Sequence, residues 1–222
     1  MSKNIVLITG ASSAIGQEII KKFQNNKNIL LATYNKNNFK IKKNSKQKII
    51  KLKLDLSNEK KVFEFVKNIS KKNLIPNKII HIADSPLKMS SFTDLNWVDY
   101  EKNLNIQIKS FFLILKHVLP IMKKNNYGKI LAILSSVTIG QPPSHMSPYV
   151  TSKYAFLGLL KSLSAEYSKH KLCIHSISPG MMKTNFINKI PKKIFDINNQ
   201  KVPFGRSVKI NDIIPILEFL MS

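Results

Sequence analysis

A chain of 222 residues is long enough to close one core, and an apolar share of 43% places it among globular proteins, not disordered ones. Its single cysteine, Cys173, excludes an intramolecular disulfide and a cysteine zinc cage. The formal charge of +24 invites a nucleic-acid reading, but Arg206 is the only arginine, and readers of base edges favour the guanidinium fork over lysine. The lysines are spread along the whole chain, so weak polyanion binding at low salt is expected and no specific nucleic-acid partner.

Met1 leads through polar residues straight into an apolar run, so no targeting leader and a cytoplasmic location are expected. Residues 4–8 read as a short strand. Residues 14–25 read as a helix with Ile15, Ile19, Ile20 and Phe23 on one face. A second strand is expected over 29–33, then a polar connection over 36–48, then a third strand over 49–55. Ser57 with Lys60 and Lys61 opens a helix through Val62, Phe65, Val66 and Ile69. A strand over 78–83 precedes a long helix over 97–124 that ends near 125–128. Lys109, Lys116 and His117 interrupt its most apolar part, 106–122, below the roughly 18 residues of a membrane span, so no membrane is expected. A strand over 129–134, a helix over 149–169, a strand over 172–177 and a last helix over 211–220 complete the pattern. Such alternation builds a parallel sheet with helices on both faces, whose ligands bind at the carboxyl ends of the strands.

Thr9-Gly10-Ala11-Ser12-Ser13-Ala14-Ile15-Gly16 follows the first strand and opens the first helix. Gly10 permits a tight turn, small residues at 14 and 16 let backbone approach a pyrophosphate, and the helix start offers N–H groups and a positive dipole end. The segment resembles the T-G-x-x-x-[AG]-x-G pattern of the short-chain dehydrogenase/reductase family. Further along, Asp55-Leu56 matches the family's acidic adenine-contacting position, Pro179-Gly180 with Thr184 its P-G-x-x-x-T segment beside the nicotinamide, and Pro203-Phe204-Gly205-Arg206 its short stretch before the last helix. The resemblance implies an α/β, single-domain, Rossmann-like doubly wound sheet over 1–222, with six strands because the family's usual last strand is missing. It also implies an NAD(P)-dependent oxidoreductase with a small carbonyl or alcohol substrate, no metal, and a homo-oligomer (dimer or tetramer).

Tyr149 and Lys153 form a Y-x-x-x-K that shares one helical face. Tyr167 to Lys171 is a second copy, but Ser136 lies thirteen residues before Tyr149, whereas Tyr154 holds that offset from Tyr167. The expected roles are Tyr149 as proton donor or base, Lys153 as the cation that favours the phenolate and holds the nicotinamide ribose, and Ser136 as hydrogen-bond partner of the substrate oxygen. Ala83 and Lys153 join the cofactor set.

Three departures from the family stand out. His81-Ile82-Ala83-Asp84 replaces N-N-A-G, and Gln107 falls where the family often has an asparagine that holds a relay water. The chain also lacks the further strand. Asn35 and Lys36 end the second strand, with Lys40, Lys42 and Lys43 nearby and no carboxylate before Asp55, which favours NADP(H) over NAD(H). His117, His145 and His170 have no ligand spacing, Cys173 reads as a core thiol, and Met181, Met182 and Phe186 as pocket or packing residues. Candidate substrates are a 3-oxoacyl thioester or a sugar-nucleotide or glycan precursor. The alternative is a non-catalytic dinucleotide- or polyanion-binding protein that keeps the fold.

Overall fold

The computed structural model describes residues 4–23, 28–41, 48–184, 186, 190 and 192–222. Six strands form its sheet: β1 (Ile5–Thr9), β2 (Ile29–Tyr34), β3 (Lys48–Lys53), β4 (Lys78–His81), β5 (Gly128–Ile133) and β6 (Leu172–Ile177). Their order is β3-β2-β1-β4-β5-β6 and every pairing is parallel, as the alternating pattern predicts. The crossover between β3 and β4 reverses the direction in which strands are added, which puts the switch point at the carboxyl ends of β1 and β4.

Strand alternation sends side chains to two cores. Val6 and Ile8 of β1, with Leu30 and Ile80, meet α1 (Ala14–Phe23) and α7 (Ile210–Met221) through Ile19, Ile20 and Leu217. Leu7 and its neighbours Leu31, Ile79 and Ile130 face α2 (Glu59–Lys71), α4 (Ser110–Lys124) and α5 (Ser147–Glu166) through Val66, Phe111 and Phe156. Both faces of β1 are covered, which is why its sequence is a continuous apolar run.

Several local expectations are corrected. Asn58, not Ser57, caps α2, accepting from the Lys61 N–H at 3.1 Å, while Ser57 binds Asp55 Oδ1 through its N–H and its hydroxyl. The helix over 97–124 consists of α3 (Trp97–Leu104), a wide π-helical turn (Asn105–Lys109) and α4. By length and composition Trp97–Lys124 could cross a membrane, but Phe111, Ile114, Leu115, Val118, Leu119 and Met122 are buried in the core. With Pro148 in its first turn, α5 starts before Tyr149 and stops at Glu166. Cys173 is exposed because β6 is an edge strand with only part of its surface covered. Helix α6 (Lys192–Lys201) was not anticipated, and the end of the helix expected over 14–25, Lys42 and Lys43 lie outside the described residues.

Candidate active site

The turn between β1 and α1 is closed by the Ser13 N–H donating to the Gly10 carbonyl at 3.0 Å. Gly10 has φ +70°, and a Cβ there would lie 2.8 Å from the Cα and N of Ala83, so glycine lets the turn press on the end of β4. At Gly16 a Cβ would meet Ala11 Cα and the Gly10 carbonyl at 2.7 Å, so the fold of the turn itself demands glycine there. Ser13 Oγ accepts from the Gly16 N–H at 3.1 Å. The N–H groups of Ala14 and Ile15, in the first turn of α1, have no intrahelical acceptor, and with the helix dipole they make an anion cradle suited to a dinucleotide's pyrophosphate. Ser12 borders this cradle, its carbonyl accepting from Gln17 Nε2 at 3.0 Å.

The Ala11 N–H donates to the Thr33 carbonyl at 2.9 Å, joining the turn to the end of β2, where Asn35 and Lys36 are exposed. Asp55 stands beyond β3 with one carboxylate oxygen engaged by Ser57, and Leu56 is buried. Thr9 is buried, its hydroxyl 2.9 Å from His81 Nδ1. His81 packs edge-on against the rings of Phe111 and Phe156, which also touch each other. Burial, then the Lys153 charge, push its pKa down to about 3, so the imidazole is neutral, and its Nε2 has no hydrogen-bond partner among the described residues.

Ala83 connects this turn to the next cluster. Its carbonyl accepts from Gln107 Nε2 at 2.7 Å, and Gln107, fully buried at the π-helical turn, offers Oε1 to Lys153 Nζ at 3.4 Å. Lys153 also donates to the Ile133 carbonyl at 3.0 Å and forms an ion pair with Asp84 at 2.9 Å. One extra methylene lets glutamine span from Ala83 to the ammonium directly. Asn105, two residues earlier, is not part of this cluster.

Tyr149 is buried on the same face of α5, with Lys153 Nζ 5.5 Å from its ring centre. Of the two serines after β5, Ser135 is half-buried and acts on the Tyr149 phenol by lowering its pKa, while Ser136 is exposed and its N–H donates to the Pro179 carbonyl at 2.9 Å. Ser135 keeps extended backbone (φ −161°, ψ 153°), continuing the line of β5, and Ser136–Thr138 then turn away as one 3-10 turn. Burial raises the Tyr149 pKa above the usual tyrosine range. Asp84 raises it further, and the Ser135 hydrogen bond acts in the opposite direction. Met181 and Phe186 pack around the tyrosine with Leu87, Met146 and Ile190, while Met182 turns to the α1–α7 core. A cavity of about 200 Å³ opens beside Tyr149, bordered by Leu87, Lys88, Lys102 and Asn103. Gly180 lies 3.3 Å (as Cβ) from Val208, and Thr184 borders a larger cavity of about 800 Å³ with Phe195 and Arg206.

The structure therefore brings the glycine turn, Ala83, Gln107, Lys153 and Tyr149 together at the carboxyl ends of β1, β4 and β5. The sequence profile described as short chain dehydrogenase matches residues 4–194. The chain belongs to the short chain dehydrogenase family. As a member, it is an NAD(P)-binding oxidoreductase. This short chain dehydrogenase is 30% identical over 233 aligned residues to 3-oxoacyl-acyl-carrier-protein reductase FabG of Buchnera aphidicola subsp. Baizongia pistaciae, covering 100% of this chain and 91% of that protein. A short chain dehydrogenase from Leptospira borgpetersenii serovar Hardjo-bovis with bound NAD+ shares the fold with a TM-score of 0.86 at 21% identity, over 100% of this chain and 87% of that one. ElxO with NADP bound does so with a TM-score of 0.83 at 23% identity, over 100% and 92%.

Proposed function

We propose that this short chain dehydrogenase is a cytoplasmic reductase of a 3-oxoacyl thioester that favours NADPH, with its catalytic domain spanning 1–222. The observation that carries the reading is the buried Tyr149 phenol, with Lys153 Nζ 5.5 Å from its ring centre, beside a turn whose glycines fit a dinucleotide. When bound at that turn, the nicotinamide supplies the hydride for the carbonyl carbon. Tyr149 donates the proton to the carbonyl oxygen, so C=O becomes CH–OH, and the phenolate recovers a proton from solvent. Ser136, thirteen residues before Tyr149, holds the substrate oxygen and stabilises its developing charge, with the Ser135 hydroxyl beside it. Lys153 and Gln107 fix the geometry around the tyrosine. The identity with FabG of Buchnera aphidicola supports a thioester over a glycan precursor.

For the cofactor, Ser12, Ser13, Ala14, Ile15 and Gly16 would hold the pyrophosphate, Asp55 and Leu56 the adenine, and Pro179, Gly180 and Thr184 the nicotinamide. Asn35 and Lys36 at the end of β2 can donate to and neutralise a 2′-phosphate, which is the support for NADPH. Exposed Phe63, Phe112 and Tyr154 on the outer helices support a homo-oligomer. The test is oxidation of NADPH and NADH with acetoacetyl thioesters and a panel of ketones, together with dissociation constants at two salt concentrations. Turnover of the thioester, and an NADPH preference that shrinks as salt rises, are expected. Tighter NADH binding at low salt would overturn the cofactor assignment.

A further inference from the structure

We propose that Asp84 is the positioning residue of this site, holding the Lys153 ammonium toward the end of β4 so that Tyr149 stays a phenol and serves as a proton donor. The inference rests on the reading of Tyr149 as the acid. Asp84 Oδ2 lies 2.9 Å from Lys153 Nζ, with the lysine side chain 2% and the aspartate 13% exposed. The Ser85 N–H fixes Asp84 Oδ1 at 2.8 Å, so backbone aims the carboxylate at the ammonium. Gln107 Oε1 and the Ile133 carbonyl take the other lysine hydrogens. All three acceptors hold Nζ, 5.5 Å from the centre of the tyrosine ring.

A lone buried cation at that distance would favour the phenolate. Here a carboxylate cancels most of its field, burial governs the tyrosine, and Asp84 adds to the same effect, against the smaller pull of Ser135. Other charges facing Tyr149 do not reverse this. From across the small cavity come Lys88 and Asp99, paired with each other at 2.7 Å, and Lys102 of α3. From β4 comes His81, which is neutral, and from the segment after β6, among the described residues, apolar Met181, Phe186 and Ile190. A phenol with a raised pKa is the weaker acid, but it holds the proton for the carbonyl oxygen over a wider pH range and accepts one from an alcohol only at high pH. Asp84 thus extends upward the pH range in which the site carries the proton that reduction needs.

The experiment is an NMR titration of cofactor-free protein labelled with 13Cζ-tyrosine, the Tyr149 signal being identified by its loss in Tyr149→Phe. Asp84→Asn keeps the shape and the Ser85 contact but removes the charge. Its Tyr149 midpoint should fall about one pH unit or more below the parent's. The alkaline limb of kcat for acetoacetyl thioester reduction should move down by the same amount. If Asp84→Asn does not fold, Asp84→Gly carries the same expectation. A variant whose Tyr149 titrates no earlier than the parent's overturns the proposal. A shifted midpoint without thioester turnover sustains it and removes the substrate reading instead.

Discussion

The spelling Tyr-x-x-x-Lys occurs in the first turns of helix α5 and again just past its end, in two unlike settings. Tyr149 and Lys153 lie within the helix, a turn apart, and both are buried against the carboxyl ends of the strands. Tyr167 is the residue at which the helix stops, so the chain bends before Lys171 and the two side chains share no face. Tyr167 lies against His170, and Lys171 is exposed, its N–H donating to Asn126 Oδ1 at 3.0 Å. A spacing yields chemistry only where the helix continues through it and the surroundings exclude water.

The contrast breaks first at the tyrosines. Tyr149→Phe should lower kcat by about 10²–10⁴-fold, while Tyr167→Phe should leave turnover almost unchanged, as read from steady-state NADPH oxidation. Near-normal turnover in Tyr149→Phe would remove the tyrosine from the mechanism. Among the lysines the difference is one of stability. Lys153→Met leaves the Asp84 carboxylate unpaired in a nearly closed site and should cost about 3 kcal/mol in urea unfolding, whereas Lys171→Met should stay within about 0.5 kcal/mol. Equal losses in the two variants would deny the ion pair its structural weight.

The serines sharpen the first setting further. Ser136→Ala should reduce kcat about tenfold, with a smaller effect from Ser135→Ala, and the reverse ranking would move the role from the serine at the thirteen-residue offset to its neighbour. A further effect, on stability and not on turnover, is that of pH. His81 is held neutral in the fold, with a pKa of about 3 against 6.5 in the unfolded chain, so the unfolded state takes the proton first as pH falls. The associated stability is complete above pH 6.5 and is lost toward pH 3, by about 2 kcal/mol on reaching pH 5. His81→Gln, which does not titrate there, should show a flatter profile of unfolding free energy between pH 7 and 5. A slope as steep as the parent's would assign the effect to other groups.

The sheet was legible because its apolar runs are short, regularly spaced and separated by turn residues, and all six strands fall where they were expected. What failed was local. Helix α6 is polar and lysine-rich, with no apolar stripe to announce it. Cys173 sits in an apolar run, and nothing in that run says that its strand is an edge. The pairing of Tyr149 and Lys153 on one buried helical face was legible from spacing, and the count back from Tyr149 selects Ser136. The half-buried Ser135 beside it, which continues the line of β5, was singled out by no spacing. His81 and Asp84 were visible only as departures. Their meaning needed the third dimension, which packs one against two phenylalanines and puts the other on Lys153.

An ammonium has three hydrogens, and those of Lys153 already have three takers: Asp84, the Ile133 carbonyl and Gln107. Any further acceptor that approaches this nitrogen must therefore evict a tenant. Arrival at Lys153 is an exchange of partners, not an addition, and its free energy is the difference between two hydrogen bonds, not the whole of one. Gln107, at 3.4 Å the loosest of the three, yields at least cost. Its amide would still keep its 2.7 Å hold on Ala83, so the exchange can proceed without disturbing the glycine turn that Ala83 supports.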